Sequence, residues 1–114
     1  MNKSYVTKEI AEKLRAKGYN VEELHYENSC LCIDEVYQTD NLRIYKFPRI
    51  DEVLAWLREE KKIFVEIVIT PMGLYKPMIY DIGGVKKPYR DISPRIDFNE
   101  ASIAGIEYVI DNLI

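Results

Sequence analysis

The sequence predicts an α+β fold in which helices cover mainly one face of an antiparallel or mixed sheet. An amphipathic helix over residues 50–62 runs directly into an apolar, β-branched strand over residues 63–69. Short strand-like segments lie on both sides of this pair, and a helical segment stands at each end of the chain. The predicted order of elements is α-β-β-α-β-β-β-α, in one domain over residues 1–114.

The composition is typical of a globular protein, because 47% of the 114 residues are hydrophobic, 31% are charged and the net charge is −3. No apolar run approaches the roughly 20 residues that a membrane crossing requires, so no membrane partner is expected. The N-terminus lacks the apolar segment of an export signal. We therefore expect a cytoplasmic protein with two reduced cysteines, and the sequence indicates no cofactor.

The first helix is predicted over Lys8 to Lys17. Thr7 is its expected N-cap, and Gly18 occupies the position where helices commonly end in a left-handed residue. The apolar stripe of this helix is narrow, so the helix must pack on the rest of the domain to be stable.

Two strands are predicted before the second helix. Ser29 to Ile33 has the composition of a short strand, residues 34–41 are turn-like, and Leu42 to Phe47 alternates between two faces until Pro48 ends it. The polar stretch from Tyr19 to Glu27 is ambiguous.

The second helix and the strand after it form the expected centre of the fold. One face of the helix carries apolar residues at helical spacing: Ile50, Val53, Leu54 and Leu57. Lys61 and Lys62 close the helix at the end where cations favour its dipole. The strand that follows is interrupted only by Glu66, so we expect it to be buried centrally in the sheet.

The last third of the sequence predicts a loop, a hairpin and a helix. Residues 70–77 are the loop, and Met78 to Ile82 and Val85 to Ile92 are the two hairpin strands, joined at Gly83–Gly84. Pro88 makes the second of these an edge strand. Asp97 is the expected N-cap of the final helix.

Few residues offer the chemistry of a metal or catalytic site. His25, Cys30 and Cys32 are potential metal ligands, but one C-x-C pair and one histidine fall short of the four ligands of a zinc site, so no metal is predicted. An enzyme would have to use His25 or Glu66 as its acid or base, and no nucleophile or phosphate-binding motif accompanies them. An enzyme is therefore the least favoured class, and no catalytic residue is assigned.

Tyrosine is the first residue type that points to a function, since the chain has nine of them. Four lie on or beside the predicted sheet: Tyr45, Tyr75, Tyr80 and Tyr89. A tyrosine on an uncovered sheet face combines an apolar ring with a polar tip, as protein interfaces often do. These four are the predicted contacts for a protein partner or a second copy, and ordinary sheet packing is the alternative explanation.

A local basic run supports an alternative function. Its members are Lys86, Lys87, Arg90 and Arg95. Such a run binds a phosphate backbone, but edge strands also carry charges that prevent aggregation. A nucleic-acid-binding accessory protein is therefore the alternative to a protein-interaction module.

Three segments of the chain carry a family resemblance: residues 6–19 (VTKEIAEKLRAKGY), 55–67 (AWLREEKKIFVEI) and 99–114 (NEASIAGIEYVIDNLI). They resemble a family of short bacterial proteins of no assigned activity, often encoded in prophages and other mobile elements of gut bacteria. The shared motifs are Trp-Leu-Arg-Glu at residues 56–59 and E-A-x-x-A-G-I at residues 100–106. Relatives tend to have Thr or Ser where this chain has Arg49.

The resemblance implies a phage-associated accessory protein and supplies no functional residue. Together with the tyrosines, it predicts a small non-enzymatic interaction module that acts through an exposed, tyrosine-bearing sheet face.

Overall fold

The computed structural model describes residues 4–24, 36–81 and 92–114. The chain divides into two compact units, residues 1–49 and 50–114, which are described in turn. The elements are α1 (Lys8–Ala16), β1 (Glu23–Leu24), β2 (Val36–Gln38), β3 (Ile44–Lys46), α2 (Ile50–Glu60), β4 (Ile63–Ile69), β5 (Tyr75–Asp81) and α3 (Phe98–Asn112). Helices combine with two small antiparallel sheets, so the predicted α+β class is confirmed.

Helix α1 of the first unit begins and ends as the sequence predicts. The hydroxyl of Thr7 accepts a hydrogen bond of 3.3 Å from the Ile10 N–H, which satisfies one of the free donors of the first turn. Gly18 ends the helix with a φ of 97°, a conformation that glycine adopts without a steric penalty. The expected stripe is buried: Ile10, Ala11 and Leu14.

The sheet of the first unit places β3 between β1 and β2, and both pairings are antiparallel. The predicted turn over residues 34–41 is wrong for residues 36–38, which form β2. Tyr37 pairs with Tyr45 across the ladder and packs against Phe47, with 4.9 Å between the ring centroids. This burial of aromatic surface favours a strand where local turn propensity does not. The predicted strand from Ser29 to Ile33 lies outside the described residues.

A three-residue turn joins β2 to β3. The Thr39 N–H donates to the Arg43 carbonyl at 2.9 Å, and the Leu42 N–H donates to the Thr39 carbonyl at 3.0 Å. Leu42 has a φ of 66°, which is the left-handed region, and its side chain is 75% exposed. A left-handed backbone at a leucine brings Cβ too close to the next carbonyl oxygen, so this turn is strained.

A turn with the same hydrogen bonds joins β4 to β5 in the second unit. The Thr70 N–H donates to the Leu74 carbonyl at 2.7 Å, and the Gly73 N–H donates to the Thr70 carbonyl at 2.9 Å. The left-handed position is Gly73, with a φ of 80°. This is the common hairpin design in which glycine ends a three-residue loop. The chain therefore uses one turn geometry twice, and only one copy has glycine at the left-handed position.

The hairpin of β4 and β5 differs from the sequence prediction in two ways. β5 begins at Tyr75, so the strand predicted from Met78 starts earlier and the predicted loop over residues 70–77 is shorter. β4 is predicted at the centre of a sheet, yet among the described residues it pairs only with β5, from Ile63 opposite Asp81 to Ile69 opposite Tyr75. The predicted strand from Val85 to Ile92 falls almost entirely outside the described residues.

The strand β5 accommodates Pro77 because the backbone nitrogen of this residue points away from β4. The Tyr75 N–H and carbonyl exchange hydrogen bonds of 2.7 Å with Arg95, so they point away from β4. In an antiparallel ladder this direction repeats every second residue, and the nitrogen of Pro77 therefore also points away from β4. A proline at this position removes no hydrogen bond from the hairpin.

Helix α2 begins at Ile50 and packs on β4 and α3. Most of its predicted apolar face is buried: Ile50, Val53 and Leu57. Lys62 follows the helix in a left-handed conformation with a φ of 58°, and its ammonium group donates to the Glu59 carbonyl at 2.9 Å. The lysines expected to close the helix do so, and Lys61 also lies 5.3 Å from the centre of the Trp56 ring.

Helix α3 packs closely on the hairpin at Gly105. A Cβ built on Gly105 would lie 2.7 Å from Cγ1 of Val65 and 3.2 Å from Cβ of Pro77. The helix therefore lies over the boundary between β4 and β5. Asp97 caps it as predicted, since its side chain accepts a 2.7 Å hydrogen bond from the Asn99 N–H.

Leu42→Gly is expected to raise the free energy of unfolding by about 1 kcal/mol. A left-handed leucine costs roughly 1–2 kcal/mol, and the greater freedom of glycine in the unfolded chain offsets part of that gain. Chemical denaturation of the purified variant measures the change. Leu42→Ala is the matched control, because it removes the same side chain and keeps the backbone strain; equal stabilisation by both variants would contradict the explanation.

Gly105→Ala is expected to lower the free energy of unfolding by about 1–3 kcal/mol, since the new methyl group would overlap Val65. Val65→Ala removes the overlapped atom. In a double-mutant cycle the two changes should therefore be less destabilising together than the sum of their separate effects. Simple additivity would show that α3 does not press on Val65.

Candidate interaction surface

Tyr45, the first of the predicted contact residues, lies in the core of the first unit. Its side chain is only 4% exposed. The ring of Tyr37 stacks on it at 5.7 Å between centroids, and the guanidinium carbon of Arg15 lies 4.0 Å from its ring centre. Arg43 pairs with Glu23 at 3.7 Å, and its interactions with Tyr45 and with Glu23 raise the pKa of Arg43. Tyr45 therefore serves packing, and its ring does not face solvent.

Tyr37, beside it, carries a buried hydroxyl that makes no hydrogen bond with any of the residues described. Burial raises the pKa of Tyr37, because the phenolate would lose its hydration. The positive charge of Arg15 opposes this effect, and the charge of Glu12 adds to it. A buried donor without an acceptor destabilises the fold, so this hydroxyl is a local weakness.

Tyr75 is at the centre of a row of three paired residues at one end of the second unit. Ile69 pairs with Tyr75 within the hairpin, and Arg95 forms an antiparallel bridge with Tyr75 on the other side. The ring of Phe98 meets the Tyr75 ring edge-on, with 5.9 Å between centroids. The start of α3 is thereby placed beside the turn of the hairpin.

Large apolar side chains are exposed around Tyr75. The exposed fractions are 70% for Ile69, 86% for Met72, 81% for Ile96 and 49% for Phe98. Met72 lies in the turn that joins Ile69 to Tyr75, and Ile96 directly follows Arg95. We call these residues the turn-end surface: Ile69, Met72, Tyr75, Ile96 and Phe98. Clustered exposure of this kind is uncommon on a protein that binds nothing.

Tyr80 lies on the opposite face of the hairpin from Tyr75. The pairing places it beside Phe64, and their ring centroids are 6.5 Å apart. Both side chains are half-buried. Tyr89 lies outside the described residues, so of the four predicted contact residues the structure places only Tyr75 on the turn-end surface.

Glu66, the carboxylate considered for an enzyme, is exposed on β4 opposite Met78. The other candidates for an enzyme or a metal site, His25, Cys30 and Cys32, lie outside the described residues. Within the residues that are described, no group of three or more His, Cys, Asp or Glu side chains is placed to hold a metal ion.

Of the basic residues considered for nucleic-acid binding, Lys86, Lys87 and Arg90 lie outside the described part of the chain. The structure places Arg95 beside the turn-end surface, where its guanidinium group donates to the Ser93 carbonyl at 2.9 Å. Among the helices described, none has both the length and the apolar character that a bilayer crossing requires.

Comparisons of this chain with family models, with curated proteins and with solved structures gave no match. The resemblance to proteins of mobile elements therefore stays a prediction, as does every statement of function drawn from it.

Sequence reasoning missed four of the five members of the turn-end surface. It predicted Tyr75 as a contact residue but placed both Met72 and Tyr75 in a loop over residues 70–77. A usable signal was present: Thr70 to Leu74 contains glycine at the fourth position and follows an apolar strand, which indicates a three-residue hairpin turn. That turn pairs Ile69 with Tyr75 and brings the apolar residues together.

Tyr37→Phe is expected to leave the protein equally stable at pH 7, or more stable by up to about 1 kcal/mol, because it removes an unsatisfied hydroxyl. The folded-state pKa of Tyr37 is raised above the ordinary value of 10.0. Above pH about 10 the unfolded state loses the Tyr37 proton more readily than the folded state does. The contribution of this group to the free energy of unfolding is therefore complete below pH about 10 and is lost as the pH rises further. Denaturation of wild type and variant from pH 8 to 12 measures the difference.

Tyr80→Phe is the control for this measurement, because it removes the hydroxyl of a half-buried tyrosine that lies in the second unit. Tyr37→Phe should reduce the alkaline loss of stability more than Tyr80→Phe does. Identical alkaline curves for the wild type and Tyr37→Phe would show that the Tyr37 hydroxyl is not buried.

Proposed function

We propose that this protein is a small interaction module that binds a protein partner through the turn-end surface. The observation that carries the proposal is the exposure of Ile69, Met72 and Ile96, each at least 70% open to solvent, around the paired rings of Tyr75 and Phe98. Water contact with so much apolar surface is unfavourable, and a partner that covers it gains the corresponding free energy.

The chemistry of this surface favours a protein as its partner. Aromatic side chains and methionine are enriched at the centre of protein interfaces, and methionine adapts its shape to different partners. The row of paired residues through Ile69, Tyr75 and Arg95 holds the backbone beneath these side chains in place. A surface that is already ordered loses less conformational entropy when it binds, which favours affinity.

The proposal keeps the origin and location that the sequence predicts. In it the protein is an accessory factor of a mobile element and acts in the cytoplasm. This part rests on the resemblance of the first helix, the Trp56 segment and the last helix, and the turn-end surface supplies the means of action.

The double variant Met72→Ser, Ile96→Ser tests the proposal with little risk to the fold, because both side chains are more than 80% exposed. We expect the partner that wild-type protein captures from a lysate of the organism encoding it to bind the double variant at least tenfold more weakly, a loss of about 1.4 kcal/mol. The measurement is a titration of the captured partner on immobilised wild type and variant.

Leu42→Asn is the matched control. Leu42 is as exposed as Ile69 but lies in the first unit, and asparagine tolerates the left-handed backbone there. Equal loss of binding in the control and the double variant would indicate a nonspecific apolar effect. Unchanged binding by the double variant would overturn the proposal.

A further inference from the structure

One edge of β4, the first strand of the second unit, has no partner among the described residues. β4 spans seven residues, Ile63–Ile69, and within the described part of the chain it pairs only with β5. Its sequence is almost entirely apolar and β-branched, with Glu66 as the single charge and without proline or glycine. A strand edge of this kind readily pairs with another strand.

The backbone groups that point outward from this edge follow from the pairing. Tyr75 directs its N–H and carbonyl toward Arg95 and away from β4. Its partner Ile69 therefore directs its own backbone groups away from β5, and this direction repeats at every second residue of the strand. The outward groups belong to Ile63, Val65, Ile67 and Ile69.

The outer edge of β5, in contrast, is closed to a further strand. Pro77 has no N–H to offer at its outward position, and Arg95 already occupies the outward groups of Tyr75. One edge of the hairpin is therefore blocked, and the other combines apolar side chains with backbone groups that have no partner among the described residues.

The helical layer is also wider than the sheet that it covers. Gly105 places α3 over the boundary between β4 and β5, while α2 packs beside α3 and on β4. Neighbouring helices lie about 8–10 Å apart and strands about 4.8 Å apart, so two helices span roughly the width of four strands. α2 consequently lies on the side of the outer β4 edge, where the two strands described leave room for further strands.

We infer that β4 pairs with β4 of a second copy of this chain, in antiparallel orientation about a two-fold axis. Two identical strand edges present complementary donors and acceptors when one strand is reversed. A second copy of β4 can therefore bond to the outward N–H and carbonyl groups without help from any other segment. The product is a four-stranded sheet in the order β5-β4-β4-β5. Because the β5 edges are blocked, assembly stops at the dimer.

Glu66 restricts the register of this pairing. A register centred on Glu66 would place two carboxylates directly opposite each other, which is unfavourable. Outward backbone groups can bond only to other outward groups, so the two-fold axis must pass through a residue of β4 and not between two residues. With Glu66 excluded, the axis passes through Val65 or through Ile67. Both registers place apolar residues opposite one another on the face that the helices cover.

Ile67→Pro tests the inference, because proline removes an outward N–H and leaves the hydrogen bonds to β5 intact. We expect wild-type protein to sediment as a dimer at micromolar concentration, and Ile67→Pro to sediment as a monomer with an unchanged circular dichroism spectrum. Met72→Ser, Ile96→Ser should remain dimeric, since neither of these two residues lies on β4. The two proposals can therefore fail independently.

Amide hydrogen exchange of wild-type protein supplies a second test that needs no variant. The N–H groups of Val65 and Ile67 should exchange at least tenfold more slowly at a concentration where the dimer forms than in dilute solution, whereas those of Glu66 and Val68 should be protected in both. A wild-type protein that is monomeric at millimolar concentration would overturn the inference. So would a dimer in which the exchange of Val65 and Ile67 does not depend on concentration.

Discussion

The close approach of α3 to the hairpin at Gly105 is the constraint on which the second unit depends. A helix that presents glycine to two strands lies nearer to them than one that presents a larger side chain, and here it touches Val65 on β4 and Pro77 on β5. This contact sets the face of the hairpin that is buried. It also directs the first turn of α3, with Phe98, toward Tyr75 at the end of the hairpin.

The direction of the backbone groups in β5 explains both the bridge from Tyr75 to Arg95 and the blocked edge at Pro77. Tyr75 and Pro77 both point their backbone groups away from β4, so one binds Arg95 and the other blocks the edge. The bridge to Arg95 draws the chain before α3 alongside the turn and creates the turn-end surface. The proline blocks the outer edge of β5, and in the described part of the chain the β4 edge is the one without a partner strand.

The two units contain the same hairpin turn but have different residues at its left-handed position. In the second unit glycine occupies the left-handed position, and the turn is relaxed. In the first unit Leu42 occupies it at a cost in backbone strain, and its side chain is exposed. In the same unit the ring of Tyr37 stacks on Tyr45, which Arg15 also contacts, and the buried hydroxyl of Tyr37 has no hydrogen-bond partner among the residues described.

The sequence by itself determined the α+β class, all three described helices and their caps at Thr7, Gly18 and Asp97. It also determined the start of β4. Helical periodicity and capping are local, since they act over three or four residues and depend little on distant parts of the chain. The pairing of β4 with β5, the burial of Tyr45 and the exposure of Ile69 were decided only by the tertiary structure. Each depends on which distant segment lies alongside, and alternation of apolar residues along a strand does not specify that neighbour.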